Sequence, residues 1–290
     1  MKKIIAICLL ALISFSASAQ FGFFKNKSEI EAFKEKKIVV VLFMDSAYNA
    51  AIELAMIRNW KFSSFEVAFD NELLKYKKQE KAQEVVFLSF SKSKGSKNKA
   101  KLGSCEEDFN GLVVLNKFKR KSLPDDILAQ AFCSNNIDTN DWEFELQRGV
   151  QMLNNFFEYA SNAARDGDIA PSKMMSNYPS DKNQLLDKKL LVEDKMLELK
   201  GKKDAAELFD GEVTEVDKDI IYKAVADQDN AVLYYLWVKD EKYCNKLVIS
   251  AQNSELMYYE TATPDKCKLT NKDLEALNAT KKNVMKQNSK

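Results

Sequence analysis

The first half of the chain alternates short apolar runs with stretches of helical periodicity. Four apolar runs bounded by polar residues predict strands, at 38–44, 65–69, 85–90 and 112–115. From Tyr48 to Trp60, apolar residues recur three or four positions apart, which predicts a helix between the first two strands. A short helix after Asp70 separates the second strand from the third. Residues 38–135 therefore predict a β-α-β-α-β-β unit.

The second half of the chain repeats this order. Its apolar runs predict strands at 188–192, 213–216, 231–238, 247–249 and 256–259. Each half also places a cysteine shortly before its fourth strand, Cys105 and Cys244. We therefore predict an α/β fold of two similar β-α-β-α-β-β units that arose by internal duplication. Two α/β domains without duplication are the alternative, because alternating elements are common in this fold class.

A long amphipathic helix is predicted to join the two units, over residues 138–165. A wide apolar stripe runs along it, formed by Trp142, Leu146, Val150, Leu153 and Phe157. We expect the stripe to pack on its own domain, and a partner-binding face is the alternative. Residues 166–187 contain a glycine and two prolines with little periodicity, which is typical of a linker. Residues 188–290 then form the second unit, which ends in a polar helical tail.

The N-terminus has the three parts of a secretory signal peptide. Lys2 and Lys3 precede an apolar run at 4–13, and the small residues Ala17-Ser18-Ala19 follow. The run is too short to cross a membrane, and no later run is long enough. We therefore predict a signal peptide at 1–19 and an entry segment at 20–37, with a short N-terminal anchor as the alternative. The expected location is the periplasm, with secretion or surface attachment also open.

The composition describes a globular protein and excludes several chemistries. Apolar residues make up 46% of the chain, and 44 Lys and Arg nearly balance 43 Asp and Glu, so no overall field attracts nucleic acid. The chain has no histidine, which excludes Ser-His-Asp triads and histidine metal sites. Its eight glycines form no phosphate-binding loop motif. We expect no metal and no cofactor, and any catalysis would depend on carboxylate, Lys, Tyr or Cys side chains. A binding protein is more in keeping with this composition than an enzyme.

Two features are candidate sites. Asp45 directly follows the first strand, where α/β sheets bind ligands, and is the least unfavourable catalytic candidate. The same position suits a helix N-cap, which is the interpretation we favour. The second feature is a loop whose lysines are suited to an anionic polymer or simply to solvent: Lys92, Lys94, Lys97, Lys99 and Lys101.

Four cysteines follow the predicted signal peptide. In an exported protein an even number favours disulfides, and the local pairs are Cys105–Cys133 and Cys244–Cys267. Unpaired core thiols are the main alternative, because cysteine is often buried as a small apolar residue. No C-x-x-C motif is present, so a zinc or redox centre is not expected.

Three stretches resemble uncharacterised exported α/β proteins of Bacteroidota, namely KIVVVL from Lys37, WKFSSFE from Trp60, and 220–238. The resemblance covers most of the mature chain and implies export and an α/β fold, with no catalytic residue. We therefore expect an exported, non-catalytic binding or envelope-associated protein whose partner is an unknown protein or envelope component. The alternatives are a carboxylate-dependent hydrolase or lyase, and an anion-binding module that uses the Lys92–Lys101 loop.

The signal peptide gives a direct prediction. The protein recovered from the periplasm by osmotic shock should begin at Gln20, because cleavage follows the small residues 17–19. Intact-mass measurement of that fraction checks the N-terminus, and the unprocessed chain in the cytoplasmic fraction is the mass control. An exported chain that retains residues 1–19 would contradict the prediction.

Overall fold

The computed structural model describes residues 27–91, 111–118, 127–133, 141–165, 185–201, 204–239 and 244–288. The chain divides into two compact units, Met1–Asn177 and Tyr178–Lys290, and the division falls inside the predicted linker. Some of the predicted features lie outside the described residues: the signal peptide 1–19, the entry residues 20–26, the lysines of the 92–101 loop, Cys105, and most of the linker.

The first unit contains a five-stranded mixed sheet in the order β2-β1-β3-β4-β5. Strand β1 is parallel to both β2 and β3, and β4 is antiparallel to both β3 and β5. Its described elements are, in chain order, α1 (Lys27–Lys34), β1 (Lys37–Leu42), α2 (Ser46–Asn59), β2 (Phe65–Phe69), a 3-10 helix (Asp70–Tyr76) continuing as α3 (Lys77–Lys81), β3 (Val85–Ser91), β4 (Gly111–Leu115), β5 (Ile127–Phe132) and α4 (Trp142–Arg165).

The second unit contains a sheet of the same form, in the order β8-β6-β9-β10-β11. Strand β6 is parallel to β8 and β9, and β10 is antiparallel to β9 and β11. Its described elements are β6 (Lys189–Glu193), β7 (Leu197–Glu198), α5 (Ala205–Phe209), β8 (Val213–Val216), α6 (Lys218–Ala226), β9 (Val232–Lys239), β10 (Cys244–Ser250), β11 (Leu256–Ala262), β12 (Leu269–Thr270) and α7 (Asn271–Asn288). Strands β7 and β12 form a separate parallel pair.

The shared topology confirms the predicted α/β fold of two similar units. In both sheets the first strand lies between the second and the third, and two antiparallel strands follow. The sequence pattern missed β5 because its sequence, ILAQAF, contains one β-branched residue and favours a strand only weakly. With β5 included, each sheet contains three consecutive strands that pair in antiparallel order, β3–β5 in the first unit and β9–β11 in the second. A long helix follows these strands in each unit. Helix α4 is therefore the counterpart of α7.

The core of the first unit is formed by the buried strands β1, β3 and β4 and by the helices that pack on the sheet. Residues Ile38–Leu42 are at most 4% exposed, as expected for a strand with parallel neighbours on both sides. Helix α4 packs on α1, α2, β4 and β5, so its apolar stripe faces its own unit. The ring of Phe157 stacks on that of Phe33 with centroids 4.4 Å apart. A Cβ at Gly149 would lie 2.9 Å from Leu112 Cδ1, so this glycine allows the helix to approach β4 closely.

The cysteines follow only half of the predicted pattern. Cys244 and Cys267 form the predicted disulfide, with Cα atoms 5.5 Å apart. The structure does not form the predicted Cys105–Cys133 disulfide, because Cys133 is a free, fully buried thiol whose Sγ contacts Glu145 O at 3.9 Å. Burial raises the pKa of the Cys133 thiol well above its usual value, and the Glu145 carboxylate raises it further. This thiol is therefore protonated and unreactive in the folded chain.

We predict that reduction will destabilise the protein through the Cys244–Cys267 disulfide alone. The cysteines are 23 positions apart, and closing a loop of that length stabilises the folded chain by about 3 kcal/mol. Urea unfolding with and without reductant should show that loss in the wild type but not in a Cys244→Ala/Cys267→Ala variant. Cys133→Ala is the matched control and should keep the reductant effect. If the unfolding free energy of the wild type does not change with reductant, the assignment of the disulfide is contradicted.

Candidate functional site

Asp45 lies at the N-cap of α2, as the capping interpretation predicts. Its Oδ1 accepts a hydrogen bond from the Tyr48 backbone N–H at 3.0 Å, and its backbone is extended (φ −136°, ψ 105°). A cap of this kind contributes about 0.5–2 kcal/mol of stability. Tyr48 is fully buried, and burial raises its pKa far above the usual value, with Cys133 and Asp45 adding to the effect. The buried Tyr48 hydroxyl donates a hydrogen bond to the Val41 carbonyl oxygen at 3.5 Å, so it is turned to the interior and not to a ligand at Asp45.

The predicted anion-binding lysines, Lys92 to Lys101, belong to the part of the chain that the structure does not describe. Their proposed role therefore stays a prediction.

Among the described residues, no group of three or more His, Cys, Asp or Glu side chains is placed to hold a metal ion. No described helix is long and apolar enough to cross a membrane.

A buried polar network joins β10, β11 and the start of α7 in the second unit. Lys246 Nζ lies 2.9 Å from Asp273 Oδ2, and both residues are nearly inaccessible, at 4% and 1% exposure. The backbone N–H and the hydroxyl of Thr270 donate to the same oxygen, each at 2.7 Å, so Asp273 caps α7. The Tyr258 hydroxyl lies 2.8 Å from Asp273 Oδ1 and 2.5 Å from Glu260 Oε2. Two carboxylates, a lysine and a tyrosine therefore meet at this point.

The electrostatics of the network shift the pKa values of Asp273 and Tyr258 in opposite directions. Burial acts to raise the pKa of Asp273, but hydrogen bonding with Glu260, Lys246 and Thr270 outweighs it and lowers the pKa to about 2. Burial raises the pKa of Tyr258 far above its usual value, and its hydrogen bonds to Glu260 and Asp273 act in the same direction. At neutral pH Asp273 is ionised and Tyr258 is protonated. The network is therefore suited to fixing the start of α7 against the β10–β11 hairpin rather than to moving protons.

A cavity of about 620 Å³ lies in the second unit, where β6, β8 and β9 begin. Its wall is formed by residues at or before the first positions of these strands and by the last turns of α7, including Asp187, Lys189, Asp210, Glu212 and Lys281. The parallel strands start at the same edge of the sheet, which brings these loops together. The volume falls in the range of small-molecule sites, which is about 300–1,000 Å³.

Lys281 is the buried charge of this cavity. The residue is 4% exposed, and its Nζ donates a hydrogen bond to the Asp210 carbonyl oxygen at 2.8 Å. The same nitrogen lies 4.3 Å from the ring centroid of Phe209. Burial lowers the pKa of Lys281, while the Asp210 and Asp187 carboxylates act to raise it. Among the described residues, no carboxylate oxygen lies within 4.0 Å of this nitrogen.

The local backbone explains why the Lys281 ammonium reaches this position. Helix α5 ends at Phe209, and Asp210 follows in the left-handed region (φ 57°, ψ 54°). Gly211 comes next, where a Cβ would lie only 3.2 Å from Lys281 Nζ. A residue without a side chain therefore lets the ammonium pack beside the turn.

The sequence carried a signal for this lysine that the prediction did not use. Leu274, Leu277, Asn278 and Lys281 are spaced at helical intervals along α7, and all four are buried. A lysine on the apolar stripe of a helix is exceptional, because charged side chains are rarely buried. The Lys246–Asp273 pair had no comparable signal, since its members are 27 positions apart.

Comparison of the chain with protein-family models, with curated proteins and with solved structures finds no match.

The pKa of Asp273 gives a prediction about acid stability. Because this pKa is lower in the folded chain, the network is fully stabilising above the unfolded value near 4 and loses its contribution as the pH falls toward 2. The difference in unfolding free energy between the wild type and Asp273→Asn should shrink by about 1 kcal/mol between pH 6 and pH 3. Chemical unfolding at each pH measures it. The exposed Asp219→Asn variant should instead follow the wild type, and a constant difference for Asp273→Asn would refute the prediction.

Proposed function

We propose that the chain is an exported, non-catalytic binding protein that holds a small ligand with an anionic group in the cavity of its second unit. The observation that carries the proposal is the buried Lys281 ammonium in the cavity wall, with no described carboxylate within 4.0 Å. Export is supported by the signal-peptide pattern and by the Cys244–Cys267 disulfide, since disulfides persist in oxidising compartments.

The energetics of the buried lysine favour an anionic ligand. A buried charge is costly unless an opposite charge or several hydrogen bonds compensate it. Among the described residues, Lys281 has one carbonyl oxygen and one aromatic ring as partners, and these compensate an ammonium only in part. A carboxylate or phosphate bound in the cavity would supply the missing counter-charge. Binding would then be strengthened by relief of an existing cost as well as by the new contact.

Asp45 and Asp273 have structural roles, which favours this proposal over the carboxylate-dependent hydrolase. The carboxylate of Asp45, the catalytic candidate, accepts a hydrogen bond from the backbone at the start of α2, a structural role that its residue type serves well. In the polar network of the second unit, Asp273 is held ionised by its partners. The cavity, in contrast, has a buried lysine with no described carboxylate within 4.0 Å of its ammonium.

We predict that a compound with a carboxylate or phosphate group will raise the melting temperature of the mature protein. The probes are succinate, inorganic phosphate, leucine, leucyl-leucine and, as an uncharged compound, glucose. A ligand at about a hundred times its dissociation constant stabilises by about 2.7 kcal/mol, which shifts the melting temperature by on the order of 5 °C.

Matched variants locate the effect. Lys281→Met keeps the apolar stem over Phe209 but removes the charge, so it should lose the shift. Lys282→Met changes the exposed neighbouring lysine and should keep it. If no charged probe raises the melting temperature, or if Lys281→Met responds as the wild type does, the proposed function fails.

A further inference from the structure

We infer that the ligand of this cavity is a small zwitterion, a free amino acid or a short peptide with free ends, whose carboxylate binds Lys281 and whose ammonium binds the acids at the rim. This inference rests on the proposed function and adds the chemical class of the ligand.

The cavity wall has no net charge. Three lysines and three acids line it, together with the apolar side chains of Leu186 and Met285. Electrostatic complementarity selects a ligand whose charge pattern mirrors that of the site. A wall with both signs and no net charge therefore favours a ligand that also carries both signs.

Lys281 and the acids of the wall lie at different depths, and Lys188 and Lys189 are half-buried. Lys281 is buried at the wall, whereas Asp187, Asp210 and Glu212 are exposed. Asp210 and Asp187 are close enough to raise the pKa of Lys281 against the effect of burial, yet neither carboxylate pairs with its ammonium. A ligand carboxylate at Lys281 would therefore have acids nearby. A second negative charge on the ligand would be repelled there, and an ammonium would be attracted.

The hydrogen-bonding capacity of the groups fits this arrangement. A lysine ammonium has three N–H donors, and one of those of Lys281 is donated to the Asp210 carbonyl oxygen at 2.8 Å. The ring centroid of Phe209 lies 4.3 Å from the same nitrogen. Since the ring accepts no conventional hydrogen bond, N–H donors of Lys281 are left for a ligand carboxylate. The exposed carboxylates at the rim accept from an ammonium in turn. Leu186 and Met285 then provide apolar surface for a side chain such as that of leucine.

Calorimetric titration of the full mature protein with matched compounds tests the class. Leucyl-leucine carries both charges, its N-acetyl form keeps only the carboxylate, and its C-terminal amide keeps only the ammonium. Leucine distinguishes a free amino acid from a peptide, with 4-methylpentanoate and 3-methylbutylamine as its single-charge analogues. We expect each single-charge analogue to bind roughly tenfold or more weakly than its parent, because each loses one charged hydrogen-bonded contact.

Variants assign each half of the ligand to its partners. In Lys281→Met, leucyl-leucine and its C-terminal amide should bind with equal affinity. Lys281→Arg should restore the preference for leucyl-leucine, which has the free carboxylate. In Asp187→Asn/Asp210→Asn the free and acetylated peptides should bind equally. Asparagine suits both positions, whose backbones are left-handed (φ 55° and 57°). Lys282→Met should bind as the wild type does, and circular dichroism confirms that each variant is folded.

The outcomes separate this inference from the proposed function. If N-acetyl-leucyl-leucine or 4-methylpentanoate binds as tightly as its parent zwitterion, the ligand class is wrong and an anion-binding cavity remains. If succinate or phosphate binds through Lys281 while leucine and leucyl-leucine do not bind, the ligand class is again wrong and the proposed anion-binding cavity remains. If no compound of either set binds, the inference and the proposed function fall together.

Discussion

Each unit depends on a central strand that pairs in parallel on both of its edges. Strand β1 lies between β2 and β3, and β6 lies between β8 and β9. Parallel neighbours require crossover connections, and the helices in those connections cover the faces of the sheet. The burial of Ile38–Leu42 follows from this arrangement. So does the cavity of the second unit, because parallel strands start at one edge and bring their preceding loops together there.

The two units keep the same strand order but place their buried charges differently. In the first, Arg148 and Glu145 are buried one turn apart on α4, with Nη2 and Oε2 at 2.6 Å. In the second, Lys246 on β10 reaches Asp273 on α7. Losing one member of such a pair is far more costly than replacing both by apolar residues, because the remaining charge stays buried. The first pair constrains a single helix, whereas the second ties a helix to a sheet.

Local patterns predicted the features that local physics determines. The runs at 38–44 and 231–238 are apolar enough to indicate buried strands by themselves, and Asp45 follows a strand at a position that suits a cap. Strand β5 forms because β4 offers a free edge, and its own alanines and glutamine favour it little. The cavity depends on contacts between residues far apart in sequence, such as Lys281 and Asp210, which are 71 positions apart. Periodicity within one segment contains no information about such contacts.

The Cys244–Cys267 bond also determines how the second unit responds to mechanical load. Cys244 is the first residue of β10, and Cys267 lies between the edge strand β11 and the C-terminal helix. A pulling force on α7 is therefore transmitted through the covalent link to β10, which has neighbouring strands on both sides. Without the link, the same force would act on β11 and peel the edge strand from the sheet one hydrogen bond at a time. The disulfide therefore moves the load from an edge strand, which is paired on one side, to a strand that is paired on both sides.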